Sequence, residues 1–195
     1  MHKIFLSASI PDPSRELRFY ETSDISAIRD SVTALATIVV PHAHLIWGGH
    51  PAITPLLRFV AKGMGVEIQN HITLYQSKFF EHEFPIDNKQ FENVIITPST
   101  SDKDSSIAIM RNQMIGDNLF SAGIFIGGME GVMIEYQIFK YHHPRAATFP
   151  IASTGAAARE IFQSTRPNPD ERLLSDYAYM SLFRDLLKQF IGTDN

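Results

Sequence analysis

The stretch that ends at Glu135 contains the residues best suited to chemistry. An apolar run stops at two glycines, a third glycine follows shortly after, and a carboxylate comes four residues later. The residues between the run and the carboxylate include Gly127, Gly128, Met129, Glu130 and Gly131. Glycines let the backbone approach a phosphate, and the N–H groups that open a helix favour its negative charge. Glu135 would then hydrogen-bond a ribose hydroxyl or polarise a water. The alternative is a tight strand–helix turn with a solvent-facing glutamate, since the spacing departs from the strict GxGxxG fingerprint.

Three other runs with small or polar side chains follow apolar segments. They are Ser7, Ala8 and Ser9; Gly48, Gly49 and His50; and Ser153, Thr154 and Gly155. Serine and threonine hydroxyls can hydrogen-bond a phosphate, and His50 can donate to a phosphate or stack on a base. An ordinary loop, or a helix cap in the case of Thr154, explains the same residues without a ligand.

Arg111 and Asn112 interrupt an otherwise apolar helical stretch just before the glycine-containing segment. An arginine suits bidentate contact with phosphate. A surface salt bridge is the alternative role for Arg111.

The composition excludes several classes of function. Hydrophobic residues make up 44% and charged residues 19% of the 195 residues, as in a folded globular protein. A formal charge of −4 argues against capture of long nucleic acid. The absence of cysteine excludes disulfides, thiolate metal sites and a cysteine nucleophile. The eight histidines show no zinc-site spacing, so we expect no metal and no cofactor. Without a long apolar run or a signal peptide, we expect a cytoplasmic protein with no membrane contact.

Short apolar runs alternate with segments of helical periodicity, which predicts parallel strands joined by helical crossovers. The predicted strands are Ile4–Leu6, His44–Trp47, Val66–Leu74, Val94–Ile96, Ala122–Ile126 and Ala147–Ile151. The predicted helices include Asp24–Val40, Ile53–Gly63, Gly131–Tyr141, Gly155–Phe162 and Glu171–Phe190. We therefore expect an α/β, Rossmann-like, doubly wound and mainly parallel sheet with helices on both faces. Residues 76–92 show no clean period.

The whole chain, residues 1–195, is predicted to form one domain with no second domain. Its C-terminal helix, within residues 170–195, carries an apolar stripe. That stripe is either part of the core or a contact in a homo-oligomer.

These motifs together resemble the SLOG superfamily, which joins the DNA-processing protein Smf/DprA with the Lonely Guy cytokinin-activating enzymes. The stretch from Ile126 to Glu135 is similar to the Lonely Guy glycine signature, with Ile126 in place of its proline and Val132 in place of its threonine. The segments Ile4–Pro11, Gly48–Pro55 and Arg111–Ile115 more closely resemble the STIR branch, which is associated with TIR and Sir2 domains. The resemblance spans roughly residues 3–165.

The resemblance implies a Rossmann-like fold and a nucleotide-derived ligand. Domains of the STIR branch are thought to sense nucleotide signals in antiviral defence; in the Thoeris system, one recognises a cyclic ADP-ribose isomer and activates an attached NAD-consuming effector. Lonely Guy enzymes instead hydrolyse a nucleoside monophosphate by means of a glutamate and an arginine. Glu135 and Arg111 would be the corresponding catalytic residues here.

We therefore expect a cytosolic nucleotide-sensing domain that binds an ADP-ribose-like or cyclic nucleotide and acts through a separate effector protein, as a homodimer or higher homo-oligomer. The alternative is a phosphoribohydrolase, a nucleoside monophosphate N-glycosidase. A third hypothesis is an assembly protein with a vestigial pocket.

Overall fold

A computed structural model describes residues 1–65, 70–84, 91–165 and 170–192. The described strands are β1 (Lys3–Ser9), β2 (His44–Trp47), β3 (Ile72–Ser77), β4 (Asn93–Thr97), β5 (Ala122–Gly127) and β6 (Ala147–Ile151). The described α-helices are α1 (Leu17–Thr22), α2 (Ile25–Val39), α3 (Thr54–Met64), α4 (Lys103–Gly116), α5 (Glu130–His142), α6 (Ala156–Ser164), α7 (Arg172–Ser175) and α8 (Tyr179–Ile191). Short 3₁₀ segments follow β3 and β6, at Lys78–Glu83 and Ala152–Thr154.

All six strands are parallel and lie in the order β4-β3-β2-β1-β5-β6. The chain builds outward from β1 as far as β4 and then returns to the other side of β1 with β5. The strand order therefore reverses between β1 and β5, whose pairing runs from Ile4 opposite Ala122 to Ser9 opposite Gly127. In open sheets of this kind, ligands bind outside the carboxyl ends of the strands at such a reversal.

Alternate residues of the strands build two cores, one on each face of the sheet. Leu6, Leu45 and Ile124 are completely or almost completely buried on the face that α2, α3 and α8 cover. Phe5 and Phe125 are buried on the opposite face, where α4, α5 and α6 pack. Both faces are thus covered by helices, which confirms the predicted doubly wound fold.

The glycine-containing strand β5 is buried at all six positions, as a central parallel strand should be. Gly123 has no room for a side chain, because a Cβ atom there would lie 2.9 Å from the ring of Phe139. Close packing of α5 on the sheet therefore depends on this glycine.

The C-terminal prediction needs a correction, because the structure shows two helices where one was expected. The chain is extended at Asp176, whose carboxylate accepts a hydrogen bond from the backbone N–H of Ala178 at 2.7 Å. This turn separates α7 from α8. The apolar stripe packs α8 against α2, with Phe183 and Leu187 fully buried, so it belongs to the core. Its role in an oligomer stays a prediction.

Three further elements differ from the sequence prediction. The first strand was expected to end at Leu6, but β1 continues to Ser9, which pairs with Gly127. The six-residue α1 was not predicted, since only Phe19 of its residues is buried and no apolar period marks it. The third strand begins at Ile72, since Asn70 and His71 of the predicted strand form a turn. It continues beyond the predicted end at Leu74 to Ser77. The sequence did not predict this continuation, because Gln76 and Ser77 are polar. Residues 66–69 of that prediction and the proline-rich stretch 166–169 lie outside the described residues. Within the described part of the chain, no helix is long and apolar enough to cross a membrane.

Candidate functional site

A cleft of about 790 Å³ opens at the carboxyl ends of the central strands. The end of β1, the loops after β2 and β5, the end of β3 and one side of α4 form its walls. This volume lies within the range of ~300–1,000 Å³ that is typical of small-molecule sites. The strand-order reversal between β1 and β5 therefore coincides with a cavity.

A hydrogen-bonded network crosses the cleft at this reversal. Ser7 Oγ donates to Glu135 Oε2 at 2.6 Å, and Arg111 Nε donates to Glu135 Oε1 at 3.2 Å. The side chains of Arg111 and Glu135 are only 18% and 15% exposed, so their ion pair is shielded from solvent. The structure thus brings together residues from β1, α4 and α5 that are distant in sequence. Arg111 forms an ion pair, as its alternative role required, but inside the cleft rather than on the outer surface.

Gly131 makes room for the arginine of this network. A Cβ atom at Gly131 would lie 2.7 Å from Arg111 Nη2. The guanidinium therefore lies across the first turn of α5, with its Nε bonded to Glu135. A side chain at position 131 would displace the guanidinium.

The paired glycines at the carboxyl end of β5 form a tight turn, and the N–H groups of both already donate hydrogen bonds within the protein. The N–H of Gly127 donates to Thr154 Oγ1 and that of Gly128 to the carbonyl of Ser9, both at 2.9 Å. Both residues have positive φ, +54° and +83°, which favours glycine. Neither residue lines the cleft, nor does Thr154, which is fully buried. The structure gives these three residues a role in shaping the turn, and their contact with a ligand stays a prediction.

The loop after β2 lines the cleft with Gly49, whose backbone passes close to the side chain of Gln76, and with His50. Gly49 has a φ of +74°, and a Cβ atom there would clash with the amide of Gln76. His50 Nδ1 accepts the N–H of Ala52 at 3.2 Å, so the proton of the neutral ring is on Nε2. Burial, and next the positive charge of Arg15, lower the pKa of His50 to about 4. His50 thus enters the cleft as a neutral donor and not as a cation.

The proline-containing loop after β1 packs on the start of α5. The N–H of Glu130 donates to Glu16 Oε2 at 3.4 Å, and the N–H of Asp12 approaches Met129 Sδ at 3.5 Å. Hydrogen bonds from the side chain and backbone of Ser14 hold the pKa of Asp12 below its usual value. The loop brings carboxylates as well as Arg15 to the cleft.

The charges that line the cleft are mixed. Three cationic side chains (Arg15, Lys103 and Arg111) face four carboxylates (Asp12, Glu16, Glu83 and Glu135). Such a lining does not resemble the cluster of cations that clamps a polyphosphate. A second part of the wall is apolar and includes Phe80, Phe84, Ile107 and Met110.

Ten of the predicted ligand-binding residues line this cleft. They are Ser7, Ala8, Ser9, Gly48, Gly49, His50, Arg111, Met129, Gly131 and Glu135. Asn112 is exposed and donates to the carbonyl of Ala108, and Glu130 is exposed beside the cleft wall. Contact of any of these residues with a ligand remains a prediction.

Several cleft residues were missed by the sequence analysis. Arg15 and Glu16 lie in a loop with two nearby prolines, and Phe80 belongs to the segment without a clean period. Trp47, the single tryptophan, also lines the cleft; its Nε1 is buried and has no hydrogen-bond partner among the described residues. Its position at the end of a predicted strand beside two glycines was the signal that could have found it. No group of metal-binding side chains occurs within the described ranges.

The comparisons with known proteins agree with this architecture. A family model described as the SLOG cluster3 family matches residues 18–187. That range includes most of α1, all of α2 to α7 and most of α8, together with five of the six described strands. No curated protein matches the sequence of the chain. The match confirms the predicted SLOG superfamily and supports a nucleotide-related function; assignment to the STIR branch stays a prediction.

Proposed function

Because this chain belongs to the SLOG cluster3 family, we propose that it is a cytosolic nucleotide sensor whose central cleft binds a small nucleotide-derived signal. The ligand is ADP-ribose-like or a cyclic nucleotide, and the signal belongs to bacterial antiviral defence. The observation that carries the proposal is the Ser7–Glu135–Arg111 network, which lines a cleft of about 790 Å³ at the reversal of strand order. Binding would be reported through a homo-oligomer contact or a separate effector protein.

The walls of the cleft suit the parts of a nucleotide. Phe80, Ile107 and Met110 offer an apolar surface for a base. Glu135 offers a carboxylate for ribose hydroxyls. Ser9, neutral His50 and the Nη groups of Arg111 offer donors for one or two phosphates. The mixed charge of the lining favours a ligand with few negative charges.

Trp47 makes the proposal directly measurable, because it is the single tryptophan and lines the cleft. We expect titration with ADP-ribose, NAD, a cyclic ADP-ribose isomer or AMP to change its fluorescence, with calorimetry giving the dissociation constant. Glu135→Gln should weaken binding. Glu160→Gln is the matched control, since Glu160 forms a surface ion pair with Arg18 at 3.7 Å and does not line the cleft. Failure of every nucleotide to bind the wild-type protein would refute the proposal.

One observation favours an enzyme as the second candidate function. Glu135 is a carboxylate inside the cleft whose orientation Ser7 and Arg111 fix, as an N-glycosidase would require. In that reaction the bond between C1′ and the base breaks, water supplies the oxygen that bonds C1′, and the departing base takes up a proton. Chromatography of AMP and other nucleoside monophosphates after incubation separates the two functions. Base release that disappears in Glu135→Gln but persists in Glu160→Gln would establish the enzyme.

A further inference from the structure

One wall of the cleft comes from the short segment that follows β3. Phe80 and Phe84 line the cavity, and so does Glu83, which lies between them in the chain. The 3₁₀ segment that carries Phe80 and Glu83 packs against α4, whose Ile107 and Met110 line the same cavity. Aromatic rings, aliphatic side chains and one carboxylate therefore border the same part of the cleft.

The same segment carries a second phenylalanine and a second glutamate that lie outside the cleft. Phe79 is 39% exposed and meets the ring of Phe80 edge-on, with 5.2 Å between the ring centroids, but it does not line the cavity. Glu81 is exposed and does not line the cavity either. The segment thus contains two pairs of identical residue types, with one member of each pair facing the cleft.

The charge of Glu83 is left for a ligand. Within the described part of the chain, Glu83 forms no ion pair, whereas Arg111 is paired with Glu135. Apart from that pair, the charged side chains that line the cleft are two cations, Arg15 and Lys103, and three carboxylates, Asp12, Glu16 and Glu83. The cavity therefore presents an excess of negative charge beside an aromatic wall.

An aromatic face next to a carboxylate suits a flat cation. The quadrupole of the ring attracts positive charge over its face, and a nearby carboxylate supplies the opposite charge. A neutral base gains only apolar contact from the same wall. The common nucleobases are neutral at pH 7, but a pyridinium ring or a purine alkylated at a ring nitrogen carries a positive charge.

We propose that the wall formed by Phe80, Glu83 and Phe84 selects a nucleotide whose base is a cationic heteroaromatic ring. This inference rests on the proposed function, namely that a nucleotide binds in the cleft, and it specifies the base. A positive base partly balances the phosphates within the ligand itself, which matches a cleft with few cations. NAD⁺ belongs to this chemical class. NADH, which has the same phosphates and riboses, does not.

Calorimetry with two pairs of ligands measures the effect of a charge on the base. NAD⁺ and NADH differ by a hydride on the nicotinamide ring. In the second pair, 1-methyl-AMP and AMP, the methyl group on the adenine ring makes the base a cation at pH 7. We expect the wild-type protein to bind the cationic member of each pair about threefold to tenfold more tightly, as for a partly exposed cation–π contact together with an exposed ion pair.

Variants of the segment locate the source of this preference. Glu83→Gln and Phe80→Leu should each bring the two affinities within a pair closer together. The matched variants Glu81→Gln and Phe79→Leu should keep the full wild-type preference, because these residues do not line the cleft. The two glutamine variants change the net charge equally, so their difference reports the position of the carboxylate. A ratio measured within one protein is insensitive to a general loss of affinity.

The outcomes separate this inference from the proposed function. If the wild-type protein binds both members of either pair equally, or if Glu83→Gln keeps the full preference, the inference is overturned while nucleotide binding stands. The same conclusion follows if ADP-ribose binds and none of the four paired ligands does. If ADP-ribose and the cyclic ADP-ribose isomer fail to bind as well, both the inference and the proposed function are overturned.

Discussion

Replacing Glu135 with glutamine removes the charge of the Ser7–Glu135–Arg111 network while nearly preserving the volume of the side chain. Replacing Arg111 with methionine removes the other charge and keeps an unbranched chain. The double variant removes both. Together with the wild-type protein, the three variants form a double-mutant cycle that isolates the coupling energy of the pair.

The structure sets the size of that coupling. At 3.2 Å and an effective dielectric constant of ~20, the gross attraction between the two charges is about 5 kcal/mol. Desolvation of the two ions, which are 18% and 15% exposed, offsets most of it. We therefore expect a coupling of about 1–2 kcal/mol. Each single variant should lose about 1–3 kcal/mol of unfolding free energy, because it leaves the partner charge uncompensated in a shielded place.

Urea denaturation of the four proteins measures these free energies. The comparison pair is Arg18 and Glu160, which lie 3.7 Å apart with side chains 63% and 38% exposed. The same cycle there should give a coupling of no more than about 0.5 kcal/mol, as for exposed ion pairs in general. A coupling at Glu135 and Arg111 no larger than that at the surface pair would refute the view that this network is shielded and specifically arranged.

Three further predictions concern the loops around the cleft. Gly127→Ala should lower the free energy of unfolding, measured by urea denaturation, by about 2–4 kcal/mol, because φ is +54° and a Cβ atom would lie 2.6 Å from Ile28 Cγ1. The control is Gly63→Ala in α3, where the glycine is exposed with open space around it; this variant should raise the free energy of unfolding by about 0.5–1 kcal/mol. Thr154→Val should lower the free energy of unfolding by about 1–3 kcal/mol, because it leaves the N–H of Gly127 unpaired. Thr154→Ser keeps the hydroxyl and should lower it by only about 1 kcal/mol. A larger loss for the serine variant than for the valine variant would contradict the assigned hydrogen bond. The pKa of His50 is lowered to about 4 in the folded protein, so between about pH 6.5 and pH 4 the unfolded chain binds a proton at this ring that the folded protein does not. Up to about 3 kcal/mol of unfolding free energy should therefore be lost as the pH falls from about 6.5 to about 4. Denaturation measured across this range should show a weaker pH dependence for His50→Asn.

Much of the fold was predictable from local patterns. The helix expected at residues 24–40 is α2, and the strand at 44–47 has the bounds of β2. Both are segments whose apolar residues repeat at the period of their own element. The prediction was wrong where neighbours in space decide the structure. β3 continues to Ser77 because Ser77 pairs with Thr97, and the C-terminal helix breaks where Asp176 binds the N–H of Ala178.

The site was predictable in its parts. Glycines and a carboxylate after an apolar run mark a strand end, and parallel strands place all such ends at one edge of the sheet. Which groups would meet there was not predictable. Ser7 and Glu135 are separated by 128 residues, and no local spacing relates them. The apolar wall around Phe80 was hidden because the segment that carries it has no regular period.

By itself, the sequence determined a parallel α/β sheet, its covered faces and the strand ends at which a ligand would bind, because these depend on periodicity and on glycine positions that are local to each segment. Only the tertiary structure decided what each polar group does. It assigned the N–H groups of Gly127 and Gly128 to the turn, the proton of Ser7 to Glu135, and Arg111 to an ion pair inside the cleft. A hydrogen bond joins atoms about 3 Å apart, and which atoms come that close is fixed by the packing of the strands and helices.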